Sequence, residues 1–238
     1  MPALHPRLAA SLVAIVVAIT PACRSNDSEA RSTSRTAGSS ASTARSVPAA
    51  NDSLSQLADR GRIQGSASAP VWLVEVSDFQ CPYCRMWHDS TYSAVVRDYV
   101  STGKVRLAYL NFPLQMHVNA LPSAEAAMCA SVQSKFWPMH DALFNSQEKW
   151  ERLADPSAFF DSLATRAGVD RTQWTTCVTK HLMRPLIEAD KSRSEQRGVQ
   201  STPSFFIGDE TIAGAQPYSE FRAAIERQLA KASKSPAR

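Results

Sequence analysis

Two cysteines separated by two residues are the part of the sequence best suited to chemistry. Cys81 and Cys84 lie in the segment "DFQCPYCRMW", after an apolar run and at the start of a segment with helical periodicity. At a helix N-terminus, unpaired backbone N–H groups and the helix dipole favour thiolate over thiol, so we expect a lowered pKa for Cys81. Cys84 lies one turn further into the helix and is expected to be a buried resolving thiol. Pro82 suits the first helical turn because it has no N–H that needs a partner.

Other uses of this cysteine pair have less support in the sequence. A structural zinc site needs four ligands, and the chain has no second cysteine pair at this spacing and no closely spaced pair of histidines. The nearest imidazole, His88, lies one helical turn beyond Cys84 and suits a surface or packed residue. A purely structural disulfide across so short a loop would constrain little. The sequence therefore favours a redox-active pair, without a metal ion or another cofactor.

Two further features near the cysteines leave alternatives open. Glu75 lies six residues before Cys81 within an apolar strand, where a charge is costly unless it has a use. It could carry a proton to or from Cys84 during exchange, or it could be an outward-pointing carboxylate at a strand end. Thr202-Pro203 precedes another apolar strand. A cis peptide bond there would place a backbone edge against the sulfurs, although few X-Pro bonds are cis.

The N-terminus predicts export from the cytoplasm. Residues 1–22 combine a short, mildly basic start with an apolar run at 8–19, which has the length of a signal peptide and is short for a transmembrane helix. The small residues at 20–22 resemble a lipoprotein box, so Cys23 is predicted to be lipidated. Cleavage by ordinary signal peptidase and an uncleaved N-terminal anchor are the alternatives.

The composition separates a tether from a folded domain. Residues 23–55 are mostly Ser, Thr, Ala and Arg, and such a segment cannot bury enough apolar surface to offset its ordering entropy. The chain is 44% hydrophobic with a net charge of only +4 and no dense basic tract, which gives nucleic-acid binding little support. Outside the cytoplasm, Cys129 and Cys177 would pair as a second disulfide. Two separate buried thiols are the alternative.

The order of predicted elements indicates an α/β fold. A strand, a helix and a second strand form a parallel unit, several helices follow, and a hairpin with a closing helix ends the domain. This order is that of a thioredoxin fold with an inserted helical domain, spanning 56–236 with the insertion at about 114–198. The predicted strands are 70–79 and 104–112, the hairpin is 202–214, and the helices are 82 to about 100, 119–133, 135–147, 155–168, 170–183, 184–198 and 217–232, with Asp155 and Asp170 as caps.

Several segments resemble, in the same order, the DsbA-like thiol-disulfide oxidoreductases of the thioredoxin superfamily. The resemblance covers about residues 60 to 232 and is carried by "SDFQCPYCRMW", "FPLQMHVNALPSAEAAMCA", "KFWPMHDALF", "GVQSTPSFFIG" and "GAQPYSEFRAAIERQL". It implies that Cys81 is the attacking cysteine and Cys84 the resolving one. It also places Glu75 at the buried acid of that family.

The same resemblance implies substrate contacts and a second disulfide. It puts Pro203 at the cis-proline of the family, with Thr202 lining the substrate groove near the inner dipeptide Pro82-Tyr83. Some relatives carry a non-catalytic disulfide in the helical domain, a role that suits Cys129 and Cys177. The best-known strong oxidants of the family have Pro-His where this chain has Pro-Tyr.

These features together predict an exported thiol-disulfide oxidoreductase that introduces disulfides into folding envelope proteins through Cys81 and Cys84. Its partners would be thiol-containing proteins and a membrane redox partner that reoxidises the pair. It would lie in the periplasm or cell envelope, held to a membrane by lipid on Cys23. A disulfide reductase or isomerase is one alternative, and a peptide-binding, chaperone-like module with little turnover is another.

Overall fold

A computed structural model describes residues 53–234 of the chain. The predicted signal peptide, Cys23 and the tether up to residue 52 lie outside the described residues. The first described helix begins at Leu54, so the last two residues assigned to the tether are helical. Within 53–234, no helix is both long and apolar enough to cross a membrane.

A five-stranded mixed sheet is the framework of the fold, in the order β1-β3-β2-β4-β5. The central strands β2 and β3 are parallel, with Val71 opposite Val105, while the other pairings are antiparallel. The strands are β1 (Ile63–Gln64), β2 (Val71–Ser77), β3 (Val105–Asn111), β4 (Ser204–Ile207) and β5 (Glu210–Ala213). The Val-rich, nearly continuous apolar character of β2 reflects its central position between β3 and β4.

Helices occupy most of the remaining described chain. The helical segment after β2 runs without a break through two π-helical turns, at His88–Tyr92 and Val96–Val100. The α-helices are α1 (Leu54–Gly61), α2 (Pro82–Trp87), α3 (Ser93–Val95), α4 (Ala120–Ser131), α5 (Phe136–Asn145), α6 (Gln147–Trp150), α7 (Ser157–Ala167), α8 (Arg171–Thr179), α9 (Arg184–Gln196) and α10 (Tyr218–Lys234). Helix α4 packs against α5, α7 and α8, and together these form the inserted helical layer. The predicted α/β class, a thioredoxin fold with a helical insertion, is confirmed.

Helices α1 and α6 and strand β1 were not predicted from the sequence, and the predicted N-cap of α7 lies one residue before the observed one. Asp170 caps α8 as expected, accepting from the backbone N–H of Gln173 at 2.8 Å. Asp155, expected to cap α7, lies one position earlier, and Pro156 is the N-cap residue. The Asp155 carboxylate still accepts from the N–H of Ser157 at 2.9 Å, so it satisfies one of the free donors at this helix start.

Two buried clusters meet at the helix that carries the cysteines. The helical cluster includes Phe136, Phe144, Trp150 and Trp174. The sheet cluster includes Leu73, Leu107, Phe205 and Phe221. Cys84 belongs to the helical cluster, whereas Trp87, three residues further on, belongs to the sheet cluster. Helix α2 therefore starts in a position fixed by both layers.

Candidate active site

The turn between β2 and α2 places Cys81 directly before the first residue of the helix. Cys81 is the N-cap residue, with extended backbone angles, and Pro82 follows it at the start of the helix. The N–H of Cys81 donates to the carbonyl of Asp78 at 3.0 Å, and its carbonyl accepts from the N–H of Arg85 at 3.2 Å. The sulfur thus lies where the free N–H groups of the first turn are directed.

The two thiols differ strongly in acidity. Both are unpaired and buried, with 3% of Cys81 and none of Cys84 exposed. The pKa of Cys81 is lowered to about 6, chiefly by a hydrogen bond from the Cys84 side chain, and this outweighs the opposing effect of burial. Burial raises the pKa of Cys84 well above its ordinary value, and the neighbouring Cys81 raises it further. At neutral pH the pair is therefore a thiolate at Cys81 beside a thiol at Cys84.

The Thr202-Pro203 segment lies against the Cys81 sulfur. The peptide bond between these residues is cis, and the Cys81 sulfur lies 3.5 Å from the carbonyl oxygen of Thr202, which accepts a hydrogen bond from the thiol when Cys81 is protonated. The Thr202 hydroxyl is buried without a hydrogen-bond partner in the described part of the chain, and its side chain acts to lower the pKa of Cys81. The structure therefore brings this segment and the cysteine pair together.

Glu75 is completely buried rather than directed outward. It lies on β2 between Tyr109 of β3 and Phe205 of β4. Burial raises the pKa of its carboxyl group to about 8. The Ser77 side chain acts to lower the pKa of both Glu75 and Cys84. Glu75 can therefore hold a proton near Cys84 at neutral pH.

The loop at residues 113–119 is held against the turn at residues 78–81, here called the cysteine turn. The side chains that hold it were not predicted as site residues. Oδ2 of the buried Asp78 accepts from the N–H of Leu114 at 3.0 Å and lies 2.7 Å from Nδ1 of His117. Further along, Oε1 of Gln80 accepts from the N–H of Asn119 at 2.6 Å. These groups are 36 to 39 residues apart in the chain, so only the fold brings them together. The one local sequence signal for these contacts was Asp78, a carboxylate directly after the buried strand β2.

Gln147 of α6 is another site residue that the sequence analysis missed. Its side-chain amide donates to the carbonyls of Phe79 at 2.7 Å and Cys81 at 3.1 Å. Both carbonyls belong to the turn that precedes α2. The helical insertion therefore supports the cysteine turn directly, through a buried side chain.

Exposed apolar side chains surround the cysteine turn. Tyr83 and Met86 of α2 are 59% and 53% exposed, and Pro82 is exposed as well. On the loop at residues 113–119, Met116 and Val118 are 79% and 75% exposed. Apolar side chains left in water beside a reactive group are suited to contact an unfolded polypeptide.

The other two cysteines of the described residues form a disulfide within the helical layer. Cys129 of α4 and Cys177 of α8 are joined, with their Cα atoms 5.8 Å apart and a sequence separation of 48 residues. Both are buried in the helical cluster. The disulfide lies on helices separate from α2, which carries the free cysteines.

A group of two histidines and two carboxylates links the helix after α2 to α5. His88 lies 3.0 Å from Asp89 through Nδ1 and 3.5 Å from Asp141 through Nε2, and Asp141 also lies 2.8 Å from Nδ1 of His140. Burial lowers the pKa of His88, but the two carboxylates raise it by more. His88, His140 and Asp141 are close enough to bind a metal ion. The contact of His88 with Asp141 joins the two helical segments, whereas Nε2 of His140 is buried without a hydrogen-bond partner among the described residues, and burial lowers the pKa of this imidazole.

Comparison with known proteins agrees with this fold. A protein-family model described as Thioredoxin matches residues 58–227. The Disulfide bond formation protein D of Bacillus subtilis is 24% identical over 169 residues, which cover 70% of this chain and 76% of that protein. The Na(+)/H(+) antiporter NhaA 3 of Salinispora tropica is 32% identical over 189 residues, but these are 75% of this chain and 26% of the antiporter. The chain thus spans about a quarter of the antiporter.

Solved structures show the same architecture. Oxidised BdbD from Bacillus subtilis superposes with a TM-score of 0.66 at 23% identity, covering 72% of this chain and 94% of that one. The alpha-DsbA1 protein of Wolbachia pipientis superposes with a TM-score of 0.64 at 22% identity, covering 72% and 92%. At these identities the likeness is one of fold.

Proposed function

Because the chain belongs to the thioredoxin family and is a DsbA-like thiol-disulfide oxidoreductase, we propose that it donates a Cys81–Cys84 disulfide to folding proteins of the cell envelope. One observation carries the proposal: the two thiols are adjacent and have opposite shifts of pKa. An acidic, N-terminal cysteine paired with a buried, protonated one suits a disulfide donor, because a stabilised thiolate favours the reduced form of the enzyme.

The exchange proceeds in two displacements. A substrate thiolate attacks the Cys81 sulfur of the oxidised enzyme, the Cys81–Cys84 bond breaks, and Cys84 leaves as a thiolate. Cys84 then takes up a proton, which the buried Glu75 carboxyl can supply. A second substrate thiolate attacks the substrate sulfur of the mixed disulfide and displaces Cys81 as a thiolate. The substrate loses two electrons and gains a disulfide, and the enzyme gains both electrons.

The acidity of Cys81 favours this direction of electron flow. A stabilised thiolate stabilises the reduced enzyme and so makes its disulfide a stronger oxidant. A pKa of about 6 stabilises the reduced form at neutral pH by about 1.4 kcal/mol, which corresponds to ~30 mV for a two-electron couple. The enzyme would thus be an oxidant of moderate strength.

Export completes the proposed function. The predicted signal peptide and lipid-bearing Cys23 would deliver the domain to the periplasmic side of the envelope, where substrates acquire disulfides. Curated relatives named disulfide bond formation protein support a role in making disulfides. A membrane redox partner would take the two electrons from the reduced pair after each turnover.

A peptide-binding module is the second candidate, favoured by the exposed Tyr83, Met86, Met116 and Val118. Refolding of a reduced, unfolded protein separates the two functions. The oxidised enzyme is expected to generate disulfides in stoichiometric amounts, and Cys81→Ser is expected to generate none. If the wild type suppresses aggregation of the substrate as well as Cys81→Ser does, and neither forms disulfides, the oxidase proposal fails.

A further inference from the structure

His117 occupies a fixed position beside the cysteine turn. Its loop is held on one side by the Leu114 N–H to Asp78 contact and on the other by the Asn119 N–H to Gln80 contact. Asp78 also accepts the N–H of Cys81 through its carbonyl, so one residue positions both the imidazole and the sulfur-bearing residue. The His117 side chain is 18% exposed and the Asp78 side chain is completely buried.

Helix α2 carries no unpaired basic side chain that could stabilise a negative charge on the Cys81 sulfur. The two residues between the cysteines, Pro82 and Tyr83, carry no cation. The next basic residue on the helix, Arg85, is paired with Glu148 at 2.6 Å and with Asp89 at 3.3 Å. A positive charge that stabilises the sulfur would therefore come from outside the helix.

We propose that the imidazolium of His117, oriented by Asp78, is the cationic partner that stabilises the Cys81 thiolate. The proposal rests on the proposed function, since it assigns a further residue to the same exchange reaction. The negative charge of Cys81 acts to raise the pKa of His117, so the imidazolium would in turn stabilise the thiolate through charge, whereas Cys84 acts through a hydrogen bond.

The second displacement is the step that His117 assists. When the substrate sulfur of the mixed disulfide is attacked, its bond to Cys81 breaks and the electron pair goes to the Cys81 sulfur. The resulting thiolate forms beside a positive charge, so no proton has to be transferred as it leaves. Stabilising this leaving group lowers the barrier to substrate release.

The groups that face His117 define a pH range for the effect. The hydrogen bond to Asp78 raises the pKa of His117 against the lowering by burial, and the negative charges of Asp78, Cys81 and Glu151 raise it further. The imidazolium is present below that raised value, and the Cys81 thiolate is present above about pH 6. The ion pair therefore exists between these limits and is lost at higher pH as His117 deprotonates.

The test replaces His117 and follows the titration of Cys81 by thiolate absorbance at about 240 nm. His117→Gln keeps an amide that can donate to Asp78 and removes the charge. We expect the thiolate fraction at pH ~6 to fall about two- to fivefold, and the equilibrium constant for oxidising glutathione to change in parallel toward weaker oxidation. The matched control is His181→Gln, which removes a half-exposed histidine paired with Glu125 in the helical layer. In this variant Cys81 should titrate as it does in the wild type.

A second measurement uses the wild-type enzyme and needs no variant. Because coupling between two sites is reciprocal, the NMR titration of the His117 ring should show a higher pKa in the reduced enzyme than in the oxidised enzyme. Identical His117 titrations in the two forms, or an unchanged Cys81 titration in folded His117→Gln, would overturn the inference. Neither readout depends on the physiological direction of exchange. If the wild type fails to oxidise substrates but His117→Gln still changes the pKa of Cys81, the proposed function is overturned and the role of His117 is not.

Discussion

Glu75 on β2 lies directly opposite Tyr109 on β3, and both side chains end in buried polar atoms without a hydrogen-bond partner in the described part of the chain. Burial raises the pKa of Tyr109 well above its ordinary value, and the charges of Glu75 and Cys84 raise it further. Neighbouring polar groups therefore offer a Glu75 carboxylate little stabilisation. The carboxyl group keeps its proton at neutral pH and costs the fold stability whenever that proton is lost.

Glu75 should make the stability of the domain fall as the pH rises. Its folded-state pKa of about 8 exceeds the ~4.3 of an unfolded chain, so between these values the unfolded state releases the proton first. The contribution of the protonated Glu75 to the free energy of unfolding is fully present below pH ~4 and is lost by pH ~8, a change of about 5 kcal/mol. Glu75→Gln should remove most of this slope in urea unfolding measured across that range.

A matched control for that experiment is Glu220→Gln, which changes an exposed carboxylate on α10. Its stability profile should follow the wild type. The assignment of a buried, protonated Glu75 would be wrong if the wild type and Glu75→Gln lost stability equally between pH ~4 and ~8.

The Cys129–Cys177 disulfide should stabilise the helical layer without tuning the redox pair. The double variant Cys129→Ala, Cys177→Ala is expected to lose up to ~4 kcal/mol of unfolding free energy, because the crosslink restricts a long loop in the unfolded chain. The titration of Cys81 should stay unchanged. Chemical denaturation and thiolate absorbance measure the two effects separately. Mass mapping that finds two free thiols here in the oxidised protein would contradict the prediction.

Cys23 lies outside the described residues, and its role is tested in cells. If it carries lipid, Cys23→Ser should move the protein from the membrane fraction to the soluble periplasmic fraction and leave the activity of the purified domain unchanged. The mass of the mature wild-type N-terminus gives an independent check. A mature protein without lipid, or a variant that stays membrane-bound, would count against the anchor.

Cys84→Ser should trap substrates. The Cys81 thiolate of this variant would attack a substrate disulfide and displace one substrate sulfur as a thiolate, but no resolving thiol remains to release the resulting mixed disulfide. Non-reducing gels of cells expressing the variant should show thiol-sensitive adducts, and the matched variant Cys81→Ser should show none. Adducts that form equally in both variants would indicate that Cys84 is as accessible as Cys81.

Local sequence signals were enough to place the cysteine pair, and they failed where contacts depend on the fold. An apolar strand followed by Cys81 and Pro82 predicts a helix start because strand, cap and first turn are all encoded by neighbours. Helix α1 was missed because its capping box at Ser53 and Gln56 follows directly on a Ser-rich segment.

The contacts around His117 and Gln147 could not be predicted in the same way. Asp78 meets His117 across 39 residues, and Gln147 meets Cys81 across 66. Each contact forms only because the helical insertion and its connecting loop return to the end of β2. No propensity or periodicity in those segments encodes that return, so the support of the site becomes visible only in three dimensions.

The acidity of Cys81 is the central claim, and its titration in the reduced wild-type enzyme tests it most directly. Absorbance at about 240 nm reports the thiolate as the pH is varied, and Cys81→Ser provides the baseline. The account predicts a single transition with a pKa of about 6 that disappears in Cys81→Ser, while Cys84 stays protonated through neutral pH. A Cys81 transition near ~8.5, the value of a free thiol, would contradict it, because the disulfide would then have no thiolate-based driving force toward substrates.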